Sequence, residues 1–312
     1  MKSSNSVKGR QNRGSGGDPT ILDNTVFYDR NSKDVRGYLI LHNEKVYEIA
    51  PVKVIVSKNL VEVIRYEKPV VLSQPKYKTK LDKNLDDFPE LKAEREAEKA
   101  KRKEEYKRRS AIMAINNIKR IVDCNFSAKR SKFITFTFND ENDFDIKDLS
   151  QTHKEFKKFI QRFRRFYPKL KYVAVAEFQD KNGRGAVHYH MICNIPYTPK
   201  EKIAEIWSYG FIKIRDIKQV HSVGAYLAKY MSKNTNDPRY GKNKKVLRSK
   251  YLNKPDVLYG KKAHEFLTKH NLYKTQPNYI SRYPSHRNGR IVIGNFDLRK
   301  LNPAQTNENA GK

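Results

Sequence analysis

The stretch GAVHYHMICN, residues 185–194, sets His188 and His190 one residue apart in an apolar run. Eight histidines in 312 residues give about 0.2 such pairs by chance, so the pair needs its context to mean anything. Side chains alternate along a strand, so a strand here would aim both imidazoles at one face. Upstream, KYVAVAEF runs into QDKNGRG. Asn182-Gly183 is a two-residue hairpin signal, because both central positions of a type I′ turn need positive φ. Pairing Lys181 with Arg184 then puts Glu177 opposite His188 and Val175 opposite His190, unless Gly185 introduces a bulge. Two imidazoles and a carboxylate in steps of about 5 Å make a three-ligand metal site with open positions. A hydrogen-bonded histidine pair would use the same residues. The donor set does not choose its metal: nitrogen ligands favour zinc, while open positions and a phosphate substrate favour magnesium or manganese.

A second constellation lies in AYLAKYMSK. Tyr226 and Tyr230 are four apart, and Lys229 and Lys233 each follow a tyrosine by three. On a helix Tyr226, Tyr230 and Lys233 share a face. Paired aromatics at that spacing more often pack a core, but a core face has no need of a lysine beside each hydroxyl.

Alternating and helical patterns predict the elements that would carry these residues. KFITFTFN alternates as a strand. Residues 149–167 predict a helix with Leu149, Phe156, Phe159, Ile160, Phe163 and Phe166 on one face, stopped by Pro168. KYVAVAEF and GAVHYHMICNI are the next strands. Thr198-Pro199-Lys200-Glu201 reads as a capping box opening a short helix that Gly210 ends. FIKIRDI is a strand and SVGAYLAKYMSK a helix. The order β-α-β-β-α-β-α predicts an α+β domain over 126–235, a central antiparallel sheet with packed helices, ferredoxin- or RRM-like in outline.

Around it, residues 1–25 read as a disordered basic arm and 26–83 as a small β-rich segment. Residues 84–125 read as a long charged helix, solvated early and docked late through Ala111, Ile115, Ile118 and Val122. Residues 236–312 read as a basic extension, structural or DNA-contacting.

The chain carries 65 Lys and Arg against 34 Asp and Glu, a formal charge of +31, which points to a polyanionic partner, nucleic acid first. Cys124 and Cys193 are far apart and lack metal spacing, as expected in a reducing compartment. No apolar run approaches the roughly 20 residues that span a bilayer, and the N-terminal residues lack a signal peptide's apolar core. A cytoplasmic protein without a membrane partner is the expectation.

FITFTF, then HYH on a strand, then YLAKYMSK on a helix resemble the three ordered motifs of HUH endonucleases, the rolling-circle replication initiators, in their two-tyrosine form from small single-stranded DNA phages and bacterial plasmids. The resemblance covers about 131–235, with a weaker echo in KKVLRSKYLNKP at 244–255; the middle residue of HYH, Tyr189, is bulkier than the aliphatic common there. The resemblance implies an HUH nuclease fold and a DNA endonuclease and strand transferase. His188, His190 and Glu177 would hold magnesium or manganese. Tyr226 or Tyr230 would attack a phosphate of single-stranded DNA at a replication origin, giving a 5′-phosphotyrosine and a free 3′-hydroxyl. Lys229 and Lys233 would favour the phenolate by charge proximity. YGKNKK and YGKK lack the spacing of a phosphate-binding loop, so no nucleotide cofactor is expected and a host helicase would unwind the duplex. A transposase or relaxase of the same class, or a non-catalytic nucleic-acid-binding module on an RRM-like sheet, are the alternatives.

Overall fold

The computed structural model describes residues 38–42, 45–72, 89–180, 183–233, 237–285 and 287–301. The N-terminal arm read at 1–25, and Lys181 and Asn182 of the hairpin turn, lie outside the described residues. The chain divides into two compact units, each built on an antiparallel sheet.

The first unit contains β1 (Tyr38–His42), β2 (Lys45–Ser57) and β3 (Leu60–Val71), followed much later by β9 (Asp256–Tyr259), α5 (Gly260–Lys269), β10 (Tyr279–Ser285), β11 (Gly289–Asp297) and α6 (Leu298–Leu301). Its strand order is β1-β2-β3-β11-β10, with β9 beside β2. Ile55, Ile64 and Ile291 pack together in its core.

The second unit holds the residues singled out above. It contains α1 (Pro89–Asn125), β4 (Lys132–Thr137), α2 (Leu149–Phe166), β5 (Tyr172–Gln179), β6 (Ala186–Cys193), α3 (Lys200–Trp207), β7 (Ile212–Arg215), α4 (Val223–Ser232) and β8 (Val246–Arg248). The strand order β7-β4-β6-β5-β8 is that of a ferredoxin-like sheet with one added edge strand, so the fold is α+β as expected. Residues beyond 236, read from the sequence as one extension, are built into both sheets: β8 pairs with β5, and β9 to β11 join the first unit.

Alternation along the strands sorts the apolar side chains into two cores. On one face Ile134 and Phe136 of β4, with Phe138 just beyond it, meet Phe156, Phe159 and Phe163 of α2 and Trp207 of α3. Asp148 caps α2, its carboxylate accepting from the N–H groups of Ser150 and Gln151. Tyr189 of β6 turns to this side, fully buried, with its ring stacked on Phe156 at a centroid separation of 4.1 Å. Its hydroxyl meets His153 Nδ1, and His153 Nε2 meets the Lys244 carbonyl at 2.8 Å. On the opposite face Phe133, Val173, Val175 and Ile192 meet Val122 and Phe126 at the end of α1 and Val223, Leu227 and Met231 of α4. The long helix is exposed over 96–110 and buried at Ile121, Val122 and Asp123, so it docks late.

Three local expectations are corrected. Phe166 is 53% exposed, because Tyr167 turns inward instead and packs edge-on against Phe163 at 4.8 Å. Thr198 does not cap α3: its hydroxyl is taken by Tyr167, 2.8 Å away, and Pro199 stands at the N-cap without a side-chain bond. Gly210 does not end α3 either. Ser208 adopts the left-handed C-cap conformation, and Gly210 instead lets the chain pass against the backbone of Thr137 to Asn139, where a Cβ would not fit.

Candidate active site

The β5–β6 register pairs Glu177 with His188 and Val175 with His190, as the hairpin signal predicts, and Gly185 causes no slip. On the other side of β6, β4 pairs Thr137 with His188 and Thr135 with His190. His188, His190, Glu177 and Thr135 therefore share one face of the sheet, the face on which α4 lies.

His190 is 7% exposed and its ring is held from three sides. Its Nε2 lies 2.7 Å from Glu177 Oε2 and its Nδ1 lies 3.0 Å from Thr135 Oγ1. A carboxylate only accepts, so Nε2 carries a hydrogen here, and in the neutral ring Nδ1 accepts from the Thr135 hydroxyl. The ring of Tyr230 stacks on the imidazole with centroids 3.9 Å apart and planes 27° apart. His188 Nε2 donates to Gln179 Oε1 at 2.7 Å.

These contacts set the protonation states. Burial would raise the Glu177 carboxyl, but hydrogen bonds from His190 and from Lys233 Nζ, 2.9 Å away, outweigh it and hold the group down at about 2. Burial, with His190 alongside, lowers His188 to about 4. Glu177 is thus ionised and His188 neutral near neutral pH, the states in which carboxylate and imidazole bind a metal ion.

The three ligand candidates are brought together on one face, but their donor atoms are engaged with neighbours instead of converging on a point. Among the described residues no group of three or more His, Cys, Asp or Glu is arranged to hold a metal ion. The donor chemistry nevertheless fits a divalent cation: one ionised carboxylate, two imidazoles and the Gln179 amide oxygen.

Tyr226 and Tyr230 are half-buried on α4, and their rings differ in surroundings. Tyr226 stands edge-on to Phe133 at 4.9 Å, while Tyr230 packs against both Phe133, at 5.5 Å, and His190, which touch each other at 6.0 Å. The Tyr226 hydroxyl and then Tyr230 raise the pKa of the nearby Arg215 guanidinium of β7 further. Burial and then the Tyr226 hydroxyl push the Tyr230 phenol up to about 12.

The expected lysine beside each hydroxyl is corrected. Lys229 Nζ lies over the Tyr226 ring at 5.5 Å and Lys233 Nζ over the Tyr230 ring at 5.4 Å, in cation–π positions. Lys233 is moreover ion-paired with Glu177. The cation at a tyrosine hydroxyl is Arg215, which sequence reading passed over. Gln179 was passed over too, although it follows Glu177 by two on the same strand face.

The site thus joins a histidine-bearing strand of a ferredoxin-like sheet to a helix with paired tyrosines. Residues 131–235, which are 105 of the chain's 312, match the model of a family described as Replication-associated protein ORF2. The match runs from just before β4 to just after α4 and so takes in every site residue above, but not α1. The chain thus contains a domain similar to those of rolling-circle replication-associated proteins. No curated protein gives a significant match to the chain. No solved structure does either. Among the described residues no helix is long and apolar enough to cross a membrane.

Proposed function

We propose that the protein initiates rolling-circle replication in the cytoplasm as an HUH endonuclease, nicking and rejoining single-stranded DNA at an origin. The observation that carries this reading is the stacking of Tyr230 on His190, which sets a tyrosine helix against a strand bearing two histidines and a carboxylate. The match of residues 131–235 to a replication-associated family supports it.

Glu177, His188 and His190 would hold a magnesium or manganese ion, which when bound would polarise the scissile phosphate and stabilise developing charge. Thr135 would then accept from Nδ1 of His190, freeing Nε2 as the ligand atom. Tyr226 or Tyr230 would attack phosphorus. The tyrosine O–P bond forms, the P–O3′ bond breaks, and the phenolic proton ends on the released 3′-hydroxyl or in water. The other tyrosine would take the reverse transfer that closes a circle. Unwinding falls to a host helicase.

The test is to incubate the protein with Mn²⁺ and single-stranded oligonucleotides tiled across the replicon that encodes it. A covalent protein–DNA adduct on a denaturing gel is the expected result. Its absence over the whole replicon would overturn the reading.

A further inference from the structure

The edge strand β7 and the residue before it present Phe211, Lys213 and Arg215, all exposed. Phe211 is already in the ladder, because its carbonyl accepts from the Thr137 N–H at 2.9 Å. The β4–β7 register then pairs Lys213 with Thr135 and Arg215 with Phe133. Alternation puts the three side chains on one face, and the pairing of Lys213 with Thr135, whose hydroxyl meets His190, identifies it as the face of the candidate site. Buried Ile212 points to the other core.

Read across the sheet, two rows emerge. One runs Phe211, Thr137, His188, Glu177; the next runs Lys213, Thr135, His190. Neighbouring strands lie about 4.8 Å apart, so Phe211 stands two strands, or about 10 Å, from His188. Phe211 is 78% exposed, with two cations following it on the same edge of the sheet. A single exposed apolar residue needs no explanation, but a ring in line with the histidines and flanked by basic side chains does.

We infer that Phe211 and Lys213 form a subsite for unpaired nucleotides: a base stacks on the Phe211 ring, and Lys213 contacts the adjoining phosphate. An exposed ring beside a basic strip suits single strands, because every base offers a π-face once it is unstacked. A duplex keeps its bases stacked on one another and leaves the ring nothing to cover. The row geometry would lead the strand from Phe211 across Thr137 to the histidines. The choice of single-stranded DNA as ligand rests on the proposed function.

The test measures binding without cleavage. Full-length protein in EDTA is titrated into a fluorescent oligothymidylate of about 12 nucleotides, within the range of single-strand site sizes, and anisotropy is read. Phe211→Ala should weaken binding about tenfold, consistent with one lost stacking contact, while Phe211→Tyr, which keeps a ring, stays near wild type. Lys213→Ala should reduce the slope of log K against log[salt] by about 0.7, one phosphate contact on a single strand. Tyr197→Ala is the control, since Tyr197 is an 85% exposed aromatic in the loop between β6 and α3. Thermal melts of each variant confirm folding. If Phe211→Ala binds as well as Tyr197→Ala, or if Phe211→Tyr loses as much as Phe211→Ala, the subsite is overturned. The outcomes stay separable from the proposed function: adduct formation with unchanged Phe211→Ala affinity sinks only the subsite, and the expected binding losses without any adduct sink only the nicking.

Discussion

Asp123, near the end of the long helix α1, accepts the backbone N–H of Gly224 in the first turn of the tyrosine helix at 2.8 Å. Both carboxylate oxygens also take the Ser222 hydroxyl, at 3.0 and 2.9 Å, and Ser222 Oγ in turn accepts from the Ala225 N–H. Helix α1 lies outside the family match, yet it fixes where α4 begins and so where Tyr226 and Tyr230 stand. The approach is so close that a Cβ on Gly224 would run into the Lys119 carbonyl. Backbone cannot yield as a flexible side chain can. Gly224→Ala is therefore expected to cost about 1–3 kcal/mol, the range for overpacking, and Asp123→Ala about 1–3 kcal/mol for the donors it strands. Urea denaturation gives both values, and a loss below about 0.5 kcal/mol in both variants, the scale of ordinary surface substitutions, would show that the contact does not hold the helices together.

Removing either histidine should separate chemistry from binding. His188→Ala and His190→Ala are expected to abolish the covalent adduct while keeping most of the affinity for single-stranded DNA, since the basic surface is untouched. EDTA should reproduce both variants. Full adduct formation in EDTA would contradict the metal role of Glu177, His188 and His190.

His153 makes a pH prediction away from the site. Burial lowers its pKa below the ordinary 6.5, and nearby Lys157 adds to this against the Lys244 carbonyl, which works the other way. With Nε2–H donating to Lys244, Nδ1 accepts from the Tyr189 hydroxyl, and protonating Nδ1 would charge a buried ring and turn that bond round, the hydroxyl then accepting. Below pH 6.5 the unfolded chain binds a proton that the folded His153 resists, so stability falls as pH falls. His188, lowered to about 4, adds a loss of the same sign between pH 6.5 and that value. Melting temperature should thus drop between about pH 7 and about pH 5. His153→Gln, though less stable at neutral pH, should show a shallower drop. An identical slope in the variant would exclude His153 as a contributor.

What the sequence made legible was local. The Asn182-Gly183 turn signal predicted that Glu177 pairs with His188, and the structure has that register. The α2 stripe was readable because Phe156, Phe159 and Phe163 follow the helical period. Thr135 and Arg215 were not readable as neighbours of His190 and Tyr226. Those contacts depend on the β4–β6 and β4–β7 pairings, which join strands distant in sequence and are set by no single turn. The same limit hid the union of β11 with β3 across more than two hundred residues. Lys229 and Lys233 went astray for a different reason: spacing of three places the residue over the preceding turn, and there the ammonium met the ring face instead of the hydroxyl.

The tyrosines supply the most discriminating prediction. Identical i,i+4 spacing suggests equivalent nucleophiles, but their surroundings are unequal. Arg215 acts on both phenols but most strongly on the Tyr226 hydroxyl, where it is a cation able to balance the charge that develops on the oxygen during attack. Tyr230 has its ring on His190, and its phenol is pushed up to about 12. Each single Tyr→Phe variant should still form adduct, because the remaining hydroxyl lies on the same helix face. The variant that keeps Tyr226, Tyr230→Phe, should react faster than Tyr226→Phe. Adding Arg215→Ala to Tyr230→Phe should remove most of that advantage. The double variant Tyr226→Phe/Tyr230→Phe should form no adduct while melting close to wild type, since it loses two hydroxyls and no ring. Peptide mapping of the wild-type adduct should find DNA on both tyrosines, with Tyr226 in excess at early times. If one single variant is inactive and the other matches wild type, the protein uses one nucleophile. The second ring would then serve to pack α4 against Phe133, and strand closure would need water or a second copy of the chain.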